Sequence, residues 1–207
     1  MLVHIHPDNP QPRNLKMVVD TLREGGVIIY PTDTIYGLGC DIFNAKAIER
    51  ICRIKHIHDP SKAHFSFVCA DLNNLSEYTK TMSKPIFRLL KNSLPGPYTF
   101  ILEASRQVPK LLKSRKDTVG IRVPDHKITQ AIIKELGHPI MSTSLPMEGH
   151  IEYYTDPEII DDEFGKLVDF VVDGGLGGSI PSTVIDCSGG EPVLVREGAG
   201  EWAHLVD

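Results

Sequence analysis

The stretch most informative about the fold is residues 27–41, which read Val-Ile-Ile-Tyr-Pro-Thr-Asp-Thr-Ile-Tyr-Gly-Leu-Gly-Cys-Asp. The first four are apolar or aromatic, which is typical of a strand buried on both faces. If the polar stretch that follows is extended, Thr32 and Thr34 project to one side and Asp33 to the other, and the chain then returns Tyr36 to the threonine side. Two hydroxyl groups at the end of a buried strand can bind a carboxylate, carbonate or phosphate oxygen. The alternative is an ordinary threonine-rich strand with a glycine turn.

Outside this stretch, short β-rich runs alternate with helical periods. The runs predict strands over residues 2–6, 27–30, 65–69, 98–103, 119–123, 140–144, 168–173, 183–187 and 193–196. Apolar spacing predicts helices over 14–24, 44–55, 83 onward, 125–137 and 156 onward, with Asn44, Ser83, Asp125 and Asp156 at their starts. Because several strands follow one another without a helix between them, we expect an α/β (α+β) domain around one mixed, twisted sheet.

Length and composition fit one globular domain. The chain has 207 residues, of which 41% are hydrophobic and 24% are charged. We therefore expect a single domain over residues 1–207, with its core at about 12–200. The formal net charge of −5 argues against a generally basic nucleic-acid coat, although a local basic cleft stays open.

Targeting and metal signals are weak. No apolar stretch approaches the ~18 residues of a membrane span, and the N-terminus lacks the pattern of a secretory signal. The four cysteines show no C-x-x-C spacing, so reduced thiols and a cytoplasmic location are expected. Alternating histidines at 4/6 and 56/58 have no evident third ligand, and we predict no protein metal site.

Three cations stand at the edges of apolar elements. Lys55 ends the apolar face of its helix, where it either extends along the surface or points into a cleft. Arg122 lies between two apolar strand neighbours and faces either solvent or a polar cleft. Arg196 ends the last predicted strand. The three side chains either lie on the surface without a binding role or form one anion-binding cleft with the nearby hydroxyl groups.

The hydroxyl pairs repeat at other strand ends. Ser142 and Ser144 share one side of a predicted strand. Ser182 and Thr183 follow a glycine-rich turn at 174–178 that matches neither a P-loop nor G-x-G-x-x-G. The polar residues 56–64 form either a solvated loop or a flap over a site. Nothing in the sequence indicates a covalent nucleophile.

Residues 30–41 resemble the P-T-[ED]-T-x-Y-G-L-G signature of the YrdC-like family. Further motifs follow in the family's order, at 55 (K), 95–100 (PGPYTF), 120–124 (GIRVP), 139–144 (PIMSTS), 181–186 (PSTVID) and 196–198 (REG). Residues 51–55, 64–69 and 141–145 look most like the YciO branch of the family. The resemblance spans nearly the whole chain.

The resemblance implies a mixed α/β fold around a large cationic cavity. It also implies synthesis of L-threonylcarbamoyladenylate from L-threonine, bicarbonate and ATP, with release of pyrophosphate. Mg²⁺ is expected on the ATP phosphates rather than on protein ligands. The product would feed threonylcarbamoyladenosine modification of tRNA. We expect no C-terminal extension of the kind that long family members carry.

The resemblance also implies a role for each matching residue. Thr34, Lys55, Arg122 and Ser144 would be catalytic. ATP or AMP would be bound by Lys55, Ser142, Thr143, Ser144, Ser182, Thr183 and Arg196. L-threonine and bicarbonate would be bound by Thr32, Thr34, Tyr36, His64 and Arg122, with the arginine clamping the threonine carboxylate.

Two departures from the family motifs affect the activity that we expect. The family's K-x-R reads Lys-His-Ile at 55–57, and its S-A-N reads Ser-Leu-Pro at 144–146. Losing one donor to a developing anion can cost ~10²–10³ in rate, so we expect a weak or altered synthase. The alternative is a double-stranded RNA- or tRNA-binding module without the chemistry. Its best basic candidate is the segment 106–116, with Lys110, Lys113, Arg115 and Lys116, which is also typical of a solvated loop.

Overall fold

A computed structural model describes residues 1–60, 63, 65–73, 75–112, 114, 116–146 and 154–203. The strands are β1 Leu2–His4, β2 Val27–Tyr30, β3 Gly37–Asp41, β4 Ser66–Val68, β5 Tyr98–Glu103, β6 Thr118–Arg122, β7 Ile140–Ser144, β8 Phe170–Asp173, β9 Thr183–Asp186 and β10 Val193–Arg196. The helices are α1 Pro12–Arg23, α2 Ala45–Ile54, α3 Leu75–Tyr78, α4 Lys84–Ser93, α5 Lys127–Leu136 and α6 Pro157–Phe164, and a 3-10 turn covers Lys110–Leu112.

The ten strands form one mixed sheet in the order β1-β8-β2-β3-β7-β4-β6-β5-β9-β10. The pairs β1/β8, β2/β8, β4/β6 and β5/β9 are parallel, and the remaining neighbours are antiparallel. Helices flank this sheet, which confirms the predicted mixed α/β class. Parallel pairs require crossover connections, and helices such as α1, between β1 and β2, lie in them.

Alternation within the buried strand β2 divides the core between the two faces of the sheet. Val27 and Ile29 join a cluster with apolar residues of α2, α4 and α6. Ile28 and Tyr30 point the other way, into a cluster with α1 and α5. All four residues are fully buried. The predicted two-sided burial of residues 27–30 is therefore confirmed, and it explains why this run has no polar alternation.

The strand β3 was not predicted, because glycines weaken strand preference. Its glycines Gly37 and Gly39 leave space for the aromatic ring of Tyr30. The Tyr30 ring lies across β3, and a Cβ atom would stand 3.0 Å from the ring at Gly37 and also at Gly39. Packing between strands therefore overrides local propensity here.

Three of the four predicted helix starts are confirmed. The side chains of Asn44, Ser83 and Asp156 each accept a hydrogen bond from the first turn of the helix that follows. The prediction for Asp125 is wrong. The N-cap of α5 is His126, whose side chain makes no cap bond, and the backbone N–H of Asp125 donates to Asp33 Oδ2 at 3.1 Å.

We expect Asn44→Ala to lower the free energy of unfolding by about 1 kcal/mol, because the Ala47 N–H loses its acceptor. Asn44→Asp should restore most of the loss. Urea unfolding of the three proteins measures the difference. Equal midpoints for the alanine variant and the wild type would contradict this role.

The four cysteines are unpaired and buried. Burial raises the pKa of Cys69 and of Cys187 to about 12, so both thiols stay protonated. Among the described residues, no helix has the length and apolar character needed to cross a membrane.

Candidate active site

A row of small residues crosses one face of the sheet. In the strand register, Gly39 pairs with Ser142, Ser142 with Ser66, and Ser66 with Gly120. Paired residues of neighbouring strands have side chains on the same face. Their sequence neighbours Leu38, Met141, Phe67 and Ile121 point to the opposite face and join the large apolar cluster. The row, which we call the small-residue face, carries no large side chain of its own, and the Tyr30 ring covers it at Gly39.

Tyr30 borders this face and anchors Ser142. The phenol donates a hydrogen bond to Ser142 Oγ at 2.6 Å. Burial raises the pKa of Tyr30 to about 12, so the phenol keeps its proton and stays a donor near neutral pH. Ser142 Oγ is held by this bond, and its own proton remains available to an acceptor.

The segment after β2 is bent, so the prediction that Asp33 projects away from the two threonines is wrong. Thr32 Oγ1 accepts the Thr34 N–H at 3.1 Å and donates to Ile35 O at 2.7 Å. These local side-chain bonds replace the extended conformation with a turn. We call residues 31–36 the threonine turn. Its three polar side chains meet at one point.

Arg122 occupies that point and lies in a polar cleft, which decides between the two predicted orientations. Its Nη2 donates to Thr32 Oγ1 at 3.0 Å, to Asp33 Oδ1 at 2.5 Å and to Thr34 Oγ1 at 2.6 Å. The two charged side chains are only 11% and 10% exposed. Arg122 Nε is buried without a hydrogen-bond partner. A buried donor without a partner is costly, and an oxyanion ligand would satisfy it.

Lys55 stands at the C-terminus of α2 and reaches the end of β7. Its Nζ donates to Ser144 O at 2.5 Å and lies 3.2 Å from Ser144 Oγ and 3.4 Å from Leu145 O. No carboxylate of the described residues pairs with it. Burial lowers the pKa of Lys55. A desolvated cation that is bound only by neutral oxygens is well placed to receive an anion.

Arg196, like Lys55, has no carboxylate partner among the described residues. Its Nη2 donates to Ser182 O at 2.7 Å. Burial and, after it, the like charge of Arg122 lower the pKa of Arg196. Ser182 Oγ lies 2.8 Å from Thr99 Oγ1 on β5. Arg196 and Arg122 therefore share one electropositive region at the β5–β9 end of the small-residue face.

Three residues with predicted binding roles do not offer a free hydroxyl group to the small-residue face. Two of the hydroxyl groups bind backbone groups of the protein, and the third residue lies on the opposite face of the sheet. Thr183 Oγ1 donates to Gly200 O and accepts the Gly198 N–H. The Tyr36 hydroxyl donates to Gly175 O at 2.6 Å, and burial raises its pKa. Thr143 pairs with Leu38, on the face opposite Ser142. Their contacts with substrate stay predictions.

The glycine-rich turn at 174–178, for which the sequence indicated no role, packs directly on the threonine turn. The Gly178 N–H donates to Thr34 O at 2.7 Å, and a Cβ at Gly178 would stand 2.7 Å from that oxygen. A Cβ at Gly177 would stand 2.7 Å from the Tyr36 ring. The four glycines within residues 174–178 were the available signal, because such close backbone approach requires glycine.

Several predicted residues fall outside the described ones, namely Lys62, His64, Lys113 and Arg115. The flap predicted at 56–64 and the basic segment 106–116 are therefore only partly described. No group of three His, Cys, Asp or Glu side chains suited to a metal ion occurs in the described part of the chain.

Each of the two motifs that depart from the family pattern contributes an apolar side chain to core packing. Ile57, at the arginine position of K-x-R, packs against the large apolar cluster. Leu145, the middle residue of the second motif, belongs to the same cluster and is 2% exposed. Neither side chain can donate to an anion. His56, between Lys55 and Ile57, has a φ of 54° and is exposed.

Comparison with known proteins identifies the family. Residues 20–198 match the family Sua5_yciO_yrdC, described as "Telomere recombination". The chain belongs to this family. Its relative YciO of Escherichia coli (strain K12) is 47% identical over 199 residues, which cover 96% of this chain and 95% of YciO. The crystal structure of E. coli YciO matches with a TM-score of 0.90 at 46% identity and covers 97% of both chains.

More distant relatives connect the family to adenylate chemistry. The threonylcarbamoyl-AMP synthase of Vibrio vulnificus (strain YJ016) is 36% identical over 166 residues, which cover 79% of this chain and 88% of the synthase. The crystal structure of P. abyssi Sua5 complexed with L-threonine matches with a TM-score of 0.87 at 26% identity. That match covers 99% of this chain and 59% of the Sua5 chain. The family of this chain therefore includes threonylcarbamoyl-AMP synthases.

Proposed function

We propose that this protein is an L-threonylcarbamoyladenylate synthase that converts L-threonine, bicarbonate and ATP to threonylcarbamoyl-AMP and pyrophosphate. One observation carries the proposal: Lys55 and Arg196, two cations without a carboxylate partner among the described residues, bind the backbone carbonyls of Ser144, at the end of β7, and of Ser182, just before β9. Such cations favour a polyanion, and the row of residues on the strands between them carries no large side chain of its own.

In this proposal, ATP is the anion that binds to Lys55 and Arg196. Lys55 neutralises phosphate oxygens at the β7 end, where Ser144 also offers a hydroxyl group. Ser142 and Ser144 line the adenylate side with their hydroxyl groups and Thr143 with its backbone, and Ser182, Thr183 and Arg196 hold the nucleotide from the opposite wall. Mg²⁺ enters with the ATP phosphates, whose charge it offsets.

The threonine turn is the second half of the proposed site. Thr32, Thr34, Tyr36 and His64 bind L-threonine and bicarbonate together with Arg122. The unsatisfied buried Nε of Arg122 favours a carboxylate at this end. Nη2 of the same guanidinium donates to the hydroxyl groups of Thr32 and Thr34. In the proposal, Arg122 therefore binds both the substrate and the threonine turn.

The reaction then depends on positioning and charge. The threonine amine adds to bicarbonate, and loss of water leaves a carbamate. A carbamate oxygen attacks the α-phosphorus of ATP in line, the bond to the bridging oxygen breaks, and pyrophosphate leaves. Lys55 and Arg196 stabilise charge that develops on the phosphates, and holding three reactants together supplies much of the rate. Because Ile57 and Pro146 replace two polar groups of the family motifs, we expect slower turnover than in the family's synthases.

The relatives support the same reaction. A threonylcarbamoyl-AMP synthase is 36% identical to this chain, and a structure with 26% identity holds L-threonine. We propose that the product serves threonylcarbamoyladenosine modification of tRNA. A tRNA- or double-stranded RNA-binding module without chemistry stays a prediction, because its best basic segment is only partly described.

Mass spectrometry tests the proposed reaction. Purified protein is incubated with ATP, Mg²⁺, L-threonine and ¹³C-bicarbonate, and threonylcarbamoyl-AMP carrying one ¹³C is measured together with pyrophosphate. We expect labelled product that requires all three substrates. The Vibrio vulnificus synthase serves as the positive control. Its product in the absence of any product from this protein would contradict the proposal.

The lowered pKa of Lys55 predicts a pH dependence of nucleotide binding. A phosphate beside the amine favours the charged form and raises that pKa. Binding at a pH between the two values therefore takes up a proton, and affinity falls as pH rises through the lowered pKa. Calorimetry in two buffers of different ionisation enthalpy measures the uptake. Lys55→Arg should abolish it, since arginine does not titrate there, and wild-type binding without proton uptake at alkaline pH would contradict the assignment.

A further inference from the structure

We propose that Asp33 is a positioning residue of this site: it holds the Arg122 guanidinium in place and so determines how tightly the carboxylate of L-threonine is bound. The inference rests on the proposed function, because it concerns the L-threonine end of that site. Asp33 has no role in the sequence-based assignments. The structure places it in the middle of the threonine turn.

Both carboxylate oxygens of Asp33 are engaged. Oδ1 accepts from Arg122 Nη2 at 2.5 Å, and Oδ2 accepts the Asp125 N–H at 3.1 Å. The carboxylate therefore connects the end of β6 to the chain just before α5. A second contact fixes the same region, because Thr129 on α5 donates to Pro31 O. With both oxygens bound and the side chain 10% exposed, Asp33 has one available orientation.

This arrangement fixes one corner of the guanidinium and leaves the others for a ligand. Nη2 has three protein acceptors, whereas the buried Nε has none. The guanidinium is planar, so holding Nη2 also fixes the directions in which Nε and Nη1 donate. Asp33 is the charged member of the three acceptors and makes the strongest of the three bonds.

The opposite role for Asp33 makes the opposite prediction. If the carboxylate merely competed with substrate for the charge of Arg122, its removal would free the guanidinium and tighten L-threonine binding. If Asp33 orients the guanidinium, its removal weakens L-threonine binding and leaves the nucleotide end unaffected. The sign of the change therefore decides between the two roles.

Isothermal titration with L-threonine and, separately, with AMP tests the proposal. We expect Asp33→Asn to weaken L-threonine binding by about 10- to 100-fold, the range for a hydrogen bond to a charged group, with unchanged AMP affinity. Asp33→Glu keeps the carboxylate and should restore most of the affinity. Asp125→Asn is the matched control, since it removes an exposed neighbouring charge and keeps the backbone donor. Unchanged or tighter L-threonine binding by Asp33→Asn would overturn the proposal, as would an equal loss of AMP affinity.

Failure of the proposed function is distinguishable from failure of this inference. If the wild type binds no L-threonine, the proposed function fails, and hydrogen–deuterium exchange then decides the role of Asp33. Backbone exchange over residues 31–36 should be faster in Asp33→Asn than in the wild type and Asp33→Glu. Equal exchange in all three proteins would show that Asp33 does not hold the threonine turn against Arg122.

Discussion

Lys55→Ala is expected to weaken ATP binding by about 100-fold and to remove synthase activity. The amine is desolvated and is bound only by oxygens of Ser144 and Leu145. A hydrogen bond between charged groups contributes up to about 3 kcal/mol, and each 1.4 kcal/mol is tenfold in affinity. The proposal assigns this contribution to phosphate oxygens.

Calorimetric titration with ATP and Mg²⁺ measures the loss, and thermal unfolding checks that the variant is folded. Lys46→Ala is the matched control, because Lys46 is an exposed lysine on the same helix. Lys55→Arg should retain partial affinity, since it keeps the charge and changes the shape of the donor. Wild-type ATP affinity in a folded Lys55→Ala protein would remove Lys55 from the nucleotide site.

Gly39→Val is expected to lower the free energy of unfolding by about 3 kcal/mol, the upper part of the usual cost of overpacking a core. A Cβ at Gly39 would stand 3.0 Å from both the Met141 carbonyl oxygen and the Tyr30 ring. The ring cannot move without losing its bond to Ser142. The substitution therefore disturbs the small-residue face as well as the core.

Urea unfolding monitored by circular dichroism measures this effect. Gly189→Ala is the matched control, because no atom lies within 4 Å of a Cβ there. We expect that control to unfold within about 0.5 kcal/mol of the wild type. A Gly39→Val protein with wild-type stability would show that the Tyr30 ring is not held across β3.

The parts of the fold that could be predicted are those set by local pattern. The runs at 27–30, 98–103, 140–144 and 193–196 are strands with the predicted bounds, because β-branched and aromatic residues favour the extended backbone of a sheet. The end of α5 at Gly137 was also predicted, because glycine readily adopts the left-handed conformation that ends many helices. Boundaries elsewhere moved by one or two residues, as helix and strand ends commonly do.

The parts that could not be predicted depend on contacts distant in sequence. The glycines of β3 are explained by Tyr30 and Met141, and no local rule indicates that packing. The orientation of Asp33 follows from the hydroxyl of Thr32 and from Arg122, which is 89 residues away. The sequence identified Lys55, Arg122 and Arg196 as cations near strand ends. Only the fold shows that Arg122 is paired with a carboxylate, that of Asp33. Lys55 and Arg196 have no carboxylate partner among the described residues.

A crystal structure with AMP and L-threonine would locate both ligands in the proposed site. We predict the AMP phosphate within hydrogen-bond distance of Lys55, the adenylate over the small-residue face, and the threonine carboxylate at Arg122. AMP bound away from Lys55 and Arg196, with the small-residue face free of ligand, would contradict this prediction.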